Sequence, residues 1–396
     1  MAQPQGFVDP LYPDHVCLLQ KSIYGLKQSP RKWFETFSTY LLSFGFTHST
    51  ADPSLLLYSK NSVNIYILVY VDDILLTGNH DPTIQHLLRG LSAEFHMKNL
   101  GPITYFLGMQ IISTVHGLHM SQSTYASEIL NRAGMKDCKP ISSPSPSKFF
   151  SKSSSPVSSA EAEHFRHVVG SLQYLTITRP DISFTVNKLC QHMHAPLEDD
   201  FNLLKRLLRY IKGTLSFGLP ISSGSLDLIA YSDSDWAGDP TDRKSTSGYC
   251  AFLGDTLVSW CVKKQKTVAR SSTEAEYHAL ATAATDLIWL RRLINEFKIP
   301  TSHPTVLLCD NISAITLANN PIFHARTKHI EIDFQFVRDC IKNQVLHIDH
   351  VYTQDQLADV FTKSLSIPRF TQLRAKLTIS APLVSLRGGI EPSDQC

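Results

Sequence analysis

Residues 230–239 read AYSDSDWAGD, a stretch in which three aspartates follow an apolar segment. The preceding residues, Leu226–Ser232, have the apolar and aromatic composition of a β-strand. Asp233 therefore falls where the predicted strand ends. It fits a turn residue at a strand end, and Asp235 competes with it for any special role.

Short strands and helices continue from this segment to about residue 365. Further strands are predicted at Ser247–Leu253, Thr256–Val262, Thr267–Arg270, Thr305–Cys309 and Val345–Tyr352. Helices are predicted at Thr273–Phe297, Ile312–Ala318, Thr327–Asn343 and Gln356–Lys363. Strands first, followed by helices that alternate with strands, predict a mixed-sheet α/β domain.

Glu274 opens the longest predicted helix, in the segment SSTEAEYHAL. Ser271 and Glu274 fit a capping box, in which the glutamate binds backbone donors at the helix start. Glu276 lies on the same turn and is an alternative to Glu274 for any catalytic role.

Two more aspartates complete an acidic series that begins with Asp233. Asp310 follows a predicted strand and, with Asn311, fits a helix N-cap, whereas Asp359 fits a surface carboxylate of the last helix. Each has this structural interpretation by itself. Together, a strand end, a helix start, a second strand end and a late helix can bring carboxylates to one place, as phosphodiester hydrolysis with two metal ions requires.

The first half of the chain carries a pair of aspartates, Asp72 and Asp73, after the apolar strand Asn64–Val71. Two adjacent carboxylates at the tip of an apolar hairpin are costly unless a cation neutralises them. Upstream, Ser22–Trp33 reads SIYGLKQSPRKW, an order suited to a loop that enters a helix.

These segments resemble the later palm motifs and thumb entry of reverse transcriptases from copia-type LTR retrotransposons. The motifs that carry the resemblance are SIYGLKQSPRKW, YVDD, LGPITYFLG and MSQSTY. The second half is similar to the ribonuclease H part of the same family through SDSDWAGD, RKSTSGY, SSTEAEY, CDN, RTKHIEID and QLADVFTKSL.

The resemblance implies that Asp72 and Asp73 bind catalytic Mg²⁺, with Gly25 and Lys27 near the incoming nucleotide and template. It also implies that the segment resembling MxQPxGF, at Met1–Phe7, follows directly on a missing strand. The fingers and the first palm aspartate would then be absent. We expect polymerase activity to be lost.

For the second half, the resemblance implies that Asp233, Glu274, Asp310 and Asp359 hold Mg²⁺, two ions per active site, with Glu274 bridging them. The expected reaction is hydrolysis of the RNA strand of an RNA·DNA hybrid with inversion at phosphorus. Basic residues of Lys205–Lys212 and Lys263–Arg270 would contact hybrid phosphates, independently of sequence. The substrate-binding candidates of the second run are Lys263, Lys264, Lys266 and Arg270.

The fold class predicted for the whole chain is α/β (α+β). It comprises a truncated reverse-transcriptase palm and thumb followed by a ribonuclease H-like mixed-sheet domain. The predicted parts are a palm/thumb fragment at 1–138, a Ser/Pro-rich linker at 139–160, a helical connection at 161–225, the ribonuclease H-like domain at 226–366 and a C-terminal tail at 367–396.

The amino-acid composition indicates the kind of cellular compartment in which the protein acts. The net charge of +2 implies no partner, and eight cysteines without a CxxC pair suit a reducing compartment. No secretory signal is visible, and the most apolar run is too short for a membrane span. We therefore expect an intracellular protein, cytoplasmic or nuclear, that acts on an RNA·DNA hybrid or template-primer and not at a membrane.

Two alternatives remain at this point. In one, an intact polymerase obtains its missing strand from another chain, such as upstream parts of the polyprotein. In the other, the chain is a decayed or co-opted fragment that binds nucleic acid without catalysis. Hybrid cleavage and primer extension, measured together, separate these possibilities.

Overall fold

A computed structural model describes residues 1–20, 22–23, 25–95, 97–147, 155–300, 303–320 and 328–382. The chain divides into two compact units, Met1–Gly101 and Pro102–Cys396.

The first unit packs two helices on an antiparallel sheet. Its elements are α1 (Ser29–Phe44), β1 (Thr47–His48), β2 (Leu55–Lys60), β3 (Val63–Tyr70), β4 (Asp73–Gly78) and α2 (Asp81–Phe95), and the strand order is β1-β2-β3-β4. Pro30 lies in the first turn of α1, and Gly45 ends the helix at a φ of 110°, a left-handed conformation that favours glycine. Phe37 and Leu41, one helical turn apart, are fully buried.

The second unit begins with a small sheet and a group of helices. These elements are β5 (Tyr105–Phe106), β6 (Met109–Thr114), β7 (Gly117–Ser121), α3 (Ser123–Arg132), α4 (Ser159–Leu175), α5 (Ser183–Cys190), α6 (Glu198–Gly213) and β8 (Gly218–Ser222). The sheet is antiparallel, in the order β5-β6-β7-β8.

A five-stranded mixed sheet with its helices forms the rest of the second unit. Its elements are β9 (Leu228–Asp235), β10 (Thr246–Leu253), β11 (Thr256–Lys264), α7 (Ser272–Glu296), β12 (Thr305–Cys309), α8 (Ile312–Asn319), α9 (Lys328–Lys342), β13 (Leu346–His350), α10 (Asp359–Thr362) and α11 (Ile367–Lys376). The order is β11-β10-β9-β12-β13; β9, β10 and β11 run antiparallel, and β12 runs parallel to both β9 and β13.

The side chains of β10 are buried on both faces of the sheet. Tyr249 and Ala251 join one apolar core with α7, while Cys250 and Phe252 join a second core with the helices of the other face. Because successive side chains of a strand point to opposite faces, both sets of residues are removed from water. The predicted mixed α/β fold is confirmed.

One predicted strand of this region is wrong. Thr267–Arg270 is irregular in the structure and is not part of a strand. Hydrogen bonds from Gln265 Nε2 to Ser247 Oγ and to Ala275 O, each 2.9 Å, tie the segment that leads into α7 to the sheet and the helix. This segment is therefore held by a side chain and not by a strand ladder.

The predicted linker at 139–160 differs from the structure in its first part. Ser143 and Ser145 are buried, Arg206 Nη2 donates to Ser143 Oγ at 2.8 Å, and Arg209 Nε donates to Lys139 O at 2.8 Å. Side chains of α6 satisfy these polar groups, and the serine-rich composition alone does not reveal such partners. Residues 148–154 of the predicted linker lie outside the described residues.

Two further predicted boundaries differ from the structure. β7, placed by sequence in the palm/thumb fragment, pairs along its whole length with β8 of the predicted connection. The predicted tail at 367–396 begins with α11, whose Phe370 and Leu373 are buried in the core. Strand pairing and helix packing over long sequence separations produce both differences, and the residues after 382 lie outside the described part of the chain.

No helix in the described part of the chain is both long enough and apolar enough to cross a membrane.

Candidate active site

The register of β9 and β12 places two of the predicted aspartates side by side. Tyr231 pairs with Leu308 in parallel strands, and Asp233 and Asp310 each follow two residues later. The carboxyl ends of parallel neighbours lie at the same edge of a sheet. Asp233 is almost fully buried and Asp310 is half-buried, so the second carboxylate is the more accessible to solvent.

A glycine brings the third aspartate to Asp233. Gly248 of β10 pairs with Asp233, and a Cβ at this glycine would lie 2.6 Å from Phe361 Cβ. Only glycine therefore lets α10 approach the strand this closely. Asp359, the first residue of α10, is buried at this contact.

Lys363 joins Asp233 and Asp359. Its Nζ lies 3.1 Å from Asp233 Oδ1 and 2.8 Å from Asp359 Oδ1. The other oxygen of Asp233 accepts a hydrogen bond from Thr362 Oγ1. Burial raises the pKa of Asp233, while the ammonium of Lys363 opposes that rise.

Glu276 is the fourth carboxylate of this group. It is buried on the first turns of α7, and the pKa of Glu276 is raised well above its usual value by burial and by the charges of Asp233 and Asp310. Ligand atoms of Glu276, Cys309 and Asp310 all lie within 4.8 Å of one another. The Cys309 thiol also lies against the glutamate, with Sγ 3.9 Å from Oε2.

Glu274, predicted as the bridging ligand, is placed elsewhere. Its Oε2 accepts from the backbone N–H of Arg270 at 2.9 Å, and its own N–H donates to Ser271 Oγ at 3.2 Å. The carboxylate therefore binds one backbone donor just before α7 and lies 3.9 Å from His278 Nε2, so only the Ser271 half of the predicted capping box is present. The structure places Glu276, and not Glu274, beside the aspartates, and this corrects the predicted geometry.

The other alternative, Asp235, is next to the cluster. Burial raises its pKa to about 7, opposed by the hydrogen bond that its Oδ1 accepts from the Thr246 backbone N–H. That bond directs the Asp235 carboxylate to the end of β10. Asp233, in contrast, shares the Lys363 ammonium with Asp359.

Asp310 does not cap α8, although its position in the sequence fitted an N-cap. Asn311 is the N-cap of α8, since its Oδ1 accepts from the Ala314 N–H at 3.0 Å. The Asp310 Oδ2 atom instead accepts from Thr353 Oγ1 at 2.9 Å. The sequence analysis did not identify Thr353, which lies 43 residues from Asp310, or Lys363, which follows Asp359 by four residues.

The predicted phosphate-binding residues fall into two groups. Lys263, Lys266 and Arg270 are exposed. Lys264 instead pairs with Asp239 at 2.6 Å and with Asp242 at 3.0 Å. Its charge is therefore already neutralised, and we no longer expect it to contact a phosphate.

Trp236 lies between the aspartates of β9 and this basic segment. Its side chain is half exposed, and its Nε1 donates to Ala269 O at 3.0 Å. An indole fixed in this way presents apolar surface beside the cluster.

The predicted polymerase residues all lie in the first unit. Asp73 begins β4 opposite Tyr70 of β3, and Asp72 occupies the turn between these strands; both aspartates are exposed. Gly25 and Lys27 are exposed in the segment before α1, where the glycine has a φ of 93°. The hairpin predicted from YVDD is confirmed.

Sequence comparison connects these features with known proteins. Residues 1–147 match the family model described as reverse transcriptase (RNA-dependent DNA polymerase). The chain is 46% identical, over 96% of its length, to the retrovirus-related Pol polyprotein from transposon RE2 of Arabidopsis thaliana. It is 33% identical to the putative transposon Ty5-1 protein of Saccharomyces cerevisiae, with 69% of this chain matching 91% of that protein.

The chain belongs to the copia-type retrotransposon polyprotein family. It spans about a quarter of the Arabidopsis relative, 26% of that length, and 28% of the Pol polyprotein from transposon TNT 1-94 of Nicotiana tabacum, to which it is 36% identical.

Solved structures show more distant likenesses to this copia-type chain. A foamy viral protease-reverse transcriptase in complex with double-stranded DNA aligns with 82% of this chain and 49% of its own, at 11% identity and a TM-score of 0.46. LC11-RNase H1 in complex with an RNA/DNA hybrid aligns with 34% of this chain and 94% of its own, at 13% identity and a TM-score of 0.27.

Proposed function

We propose that the second unit of this copia-type chain is a ribonuclease H that hydrolyses the RNA strand of an RNA·DNA hybrid. The observation that carries the proposal is the meeting of four carboxylates from separate elements. These are Asp233 at the end of β9, Glu276 on α7, Asp310 after β12 and Asp359 at the start of α10.

The donor set fits magnesium. Carboxylate oxygens are the ligands that Mg²⁺ prefers, and three of the four carboxylates are buried, where unpaired negative charge is costly. When bound, two such ions activate a water molecule and stabilise the leaving oxygen of the phosphodiester. We propose that Asp233, Glu276, Asp310 and Asp359 would hold the ions, with Glu276 in the place that the family resemblance had given to Glu274.

The protein's own groups prepare the cluster for cations. Glu276 is close to Asp310, and its pKa is raised chiefly by burial, then by the Asp233 and Asp310 charges. A divalent cation would relieve this repulsion. Exposed Lys263, Lys266 and Arg270 would hold hybrid phosphates beside the cluster.

The test compares two glutamates of one helix turn. Purified wild type, Glu276→Gln and Glu274→Gln are assayed with Mg²⁺ on an RNA·DNA hybrid, with duplex DNA and single-stranded RNA as substrate controls. We expect cleavage of the hybrid by wild type and by Glu274→Gln, and loss of cleavage in Glu276→Gln. Asp310→Asn should also be inactive.

Each other outcome has a definite meaning. Activity in Glu276→Gln together with loss in Glu274→Gln would overturn the ligand assignment. Salt-dependent hybrid binding by wild type without cleavage would replace the nuclease proposal by the non-catalytic alternative, a fragment that only binds nucleic acid.

For the first unit we propose that this chain alone does not extend primers. Asp72 and Asp73 supply two carboxylates at the hairpin tip, whereas two ions need several shared ligands for their positioning. A template-primer assay with Mg²⁺ tests this. Extension that Asp72→Asn abolishes would show that the polymerase site is complete. Extension restored only by adding an upstream polyprotein segment would support a partner of that kind.

A further inference from the structure

The C-terminal helix α11 contacts the acidic cluster through one arginine. Arg369 Nη2 lies 3.2 Å from Asp359 Oδ2. The same guanidinium donates from Nη2 to Thr353 O at 2.7 Å and from Nη1 to Gln354 O. One side chain thus binds a carboxylate and two backbone carbonyls of the short 3-10 turn Thr353–Asp355.

That turn leads to a second carboxylate of the cluster. Thr353 Oγ1 donates to Asp310 Oδ2 at 2.9 Å. The Thr353 residue is therefore held by Arg369 through its carbonyl and holds Asp310 through its hydroxyl. On the other side, Lys363 binds Asp359 Oδ1 and Asp233 Oδ1. A continuous series of hydrogen bonds connects Asp233, Asp359 and Asp310 through Arg369.

The helix that carries Arg369 is itself fixed. Phe370 and Leu373 are buried in the core of the second unit, and Leu377 is fully buried just beyond the helix end. A planar guanidinium on a fixed helix holds several acceptors in one geometry, which a flexible ammonium cannot do. Asp359 and the Thr353 turn are thereby constrained relative to each other.

We propose that Arg369 is a positioning residue that sets the placement of Asp359 and, through Thr353, of Asp310 for binding divalent cations. The inference rests on the proposed nuclease function and deepens it, since it assigns to α11 a part in building the site. Groups that orient metal ligands through hydrogen bonds typically change metal affinity or activity by roughly 10–100-fold when removed.

The experiment measures Mg²⁺ binding directly, by calorimetric titration of the full chain without nucleic acid. We expect Arg369→Gln to weaken Mg²⁺ binding by roughly 10–100-fold, and Arg369→Lys to recover part of the loss. Hybrid affinity in EDTA should stay within about twofold of wild type, because Arg369 is placed against carboxylates and not phosphates.

Lys376→Gln is the matched control. Lys376 lies on the same helix and pairs with Asp355 of the same turn at 2.6 Å, but this pair is exposed and touches no carboxylate of the cluster. Its removal takes away one positive charge and one contact to the turn. We expect Mg²⁺ binding to remain as in wild type.

A double-mutant cycle tests the route through Thr353. Thr353→Val alone should weaken Mg²⁺ binding, and the Arg369→Gln/Thr353→Val double variant should lose less than the two single losses combined, because both act on Asp310. Thr353→Val also serves if Arg369→Gln fails to fold, as judged by circular dichroism.

Three results would overturn the inference. The first is wild-type Mg²⁺ affinity in Arg369→Gln, the second is an equal loss in Lys376→Gln, and the third is strict additivity in the cycle. If the wild-type chain binds Mg²⁺ and cleaves the hybrid, each of these results contradicts only the role of Arg369, and the proposed nuclease function stands. A wild-type chain that binds no Mg²⁺ removes both proposals together.

Discussion

Lys363 Nζ lies 3.1 Å from Asp233 Oδ1 and supplies the cation for a side chain that is 1% exposed. Lys363 follows Asp359 by four residues, so one turn of chain places the lysine between two carboxylates. Burial raises the pKa of Asp233 and the lysine lowers it. The stability of this part of the second unit therefore depends on a cation at the cluster.

Replacement of Lys363 should lower the stability of the second unit when no other cation is present. Lys363→Met leaves Asp233 without its ammonium, and breaking a fully buried pair costs about 3–5 kcal/mol. The Lys363 side chain is 36% exposed, so solvent screening reduces the expected loss to about 1–2 kcal/mol. Urea unfolding in EDTA measures it, and saturating Mg²⁺ should restore much of the difference. An equal loss with and without Mg²⁺ would contradict this account.

The two neighbouring glutamates should differ in stability as well as in activity. Glu274→Gln weakens the bond to the Arg270 N–H at the start of α7, and loss of such a capping contact costs about 1 kcal/mol. Glu276→Gln instead removes a buried carboxyl that faces two like charges, so it should be at least as stable as wild type in EDTA. Thermal unfolding at neutral pH checks both values, and the reverse order would contradict the placement of the two side chains.

These two residues also show how far sequence reasoning reaches. The strand–helix order follows from local pattern, and family motifs indicated the three aspartates; in the structure Asp233 and Asp359 contact one lysine, and Asp310 lies near Glu276. Glu274 and Glu276 differ by two positions on one helix, about 200° of rotation. The apolar periodicity of α7 carried the signal that separates them, because Glu276 shares a helix face with the buried residues Leu280, Ala283 and Leu287, and Glu274 does not.

Contacts between residues that are far apart in the sequence could not be predicted from local patterns. Arg369 reaches Asp359 over ten residues, and Thr353 reaches Asp310 over 43 residues. Composition also misled where serines predicted a linker, because Arg206 satisfies the hydroxyl of Ser143. Neither periodicity nor composition contains information on such partners.

The close approach at Gly248 predicts a steric effect on the site. An added Cβ would lie 2.6 Å from Phe361 Cβ and 2.8 Å from Thr362 Cγ2. Gly248→Ala should therefore cost about 1–3 kcal/mol, as overpacking does, and should lower hybrid cleavage by displacing α10. The control is Gly170→Ala, within helix α4, where a Cβ meets nothing within 4 Å; it should stabilise by about 0.5–1 kcal/mol. Urea unfolding midpoints measure the stability of both variants. Equal changes in Gly248→Ala and Gly170→Ala would contradict a close contact between Gly248 and α10.

An ion pair away from the cluster predicts a pH dependence. Burial raises the pKa of Asp239, but hydrogen bonds from Lys264 and the Thr241 N–H and the charge of Lys188 outweigh it, so the pKa lies below its usual value. A carboxylate whose pKa is lower in the folded state than in the unfolded state stabilises the fold at pH values above the unfolded pKa. This stabilisation is lost as the pH falls through the folded pKa. Asp239→Asn should therefore lose about 2 kcal/mol at pH 7.

Unfolding measured across the acidic range decides this prediction. The deficit of Asp239→Asn should stay constant from neutral pH to about pH 5 and shrink below about pH 4. Lys264→Met, which removes the partner at 2.6 Å, should show the same profile. A deficit that persists undiminished at pH 3 would rule out the ion pair as its cause.

The buried pair Arg179–Asp181 gives the largest expected loss of stability. Arg179 is fully buried and binds both oxygens of Asp181, at 2.9 Å and 2.8 Å, and also donates to Thr214 O at 2.8 Å. The Asp181 carboxylate in turn accepts from Tyr210 Oη at 2.6 Å. These side chains connect three segments of the second unit.

Removing one partner leaves a buried charge without compensation. Arg179→Met should therefore destabilise by about 3–5 kcal/mol, whereas the Arg179→Met/Asp181→Leu double variant should lose less, because no unpaired charge remains. Arg179→Lys keeps the charge but not the planar fork, so its stability should lie between those of Arg179→Met and wild type. Urea unfolding of the four proteins measures the coupling. A double variant as unstable as the sum of its single losses would show that the two side chains stabilise the fold independently, and the pair would then have no special role.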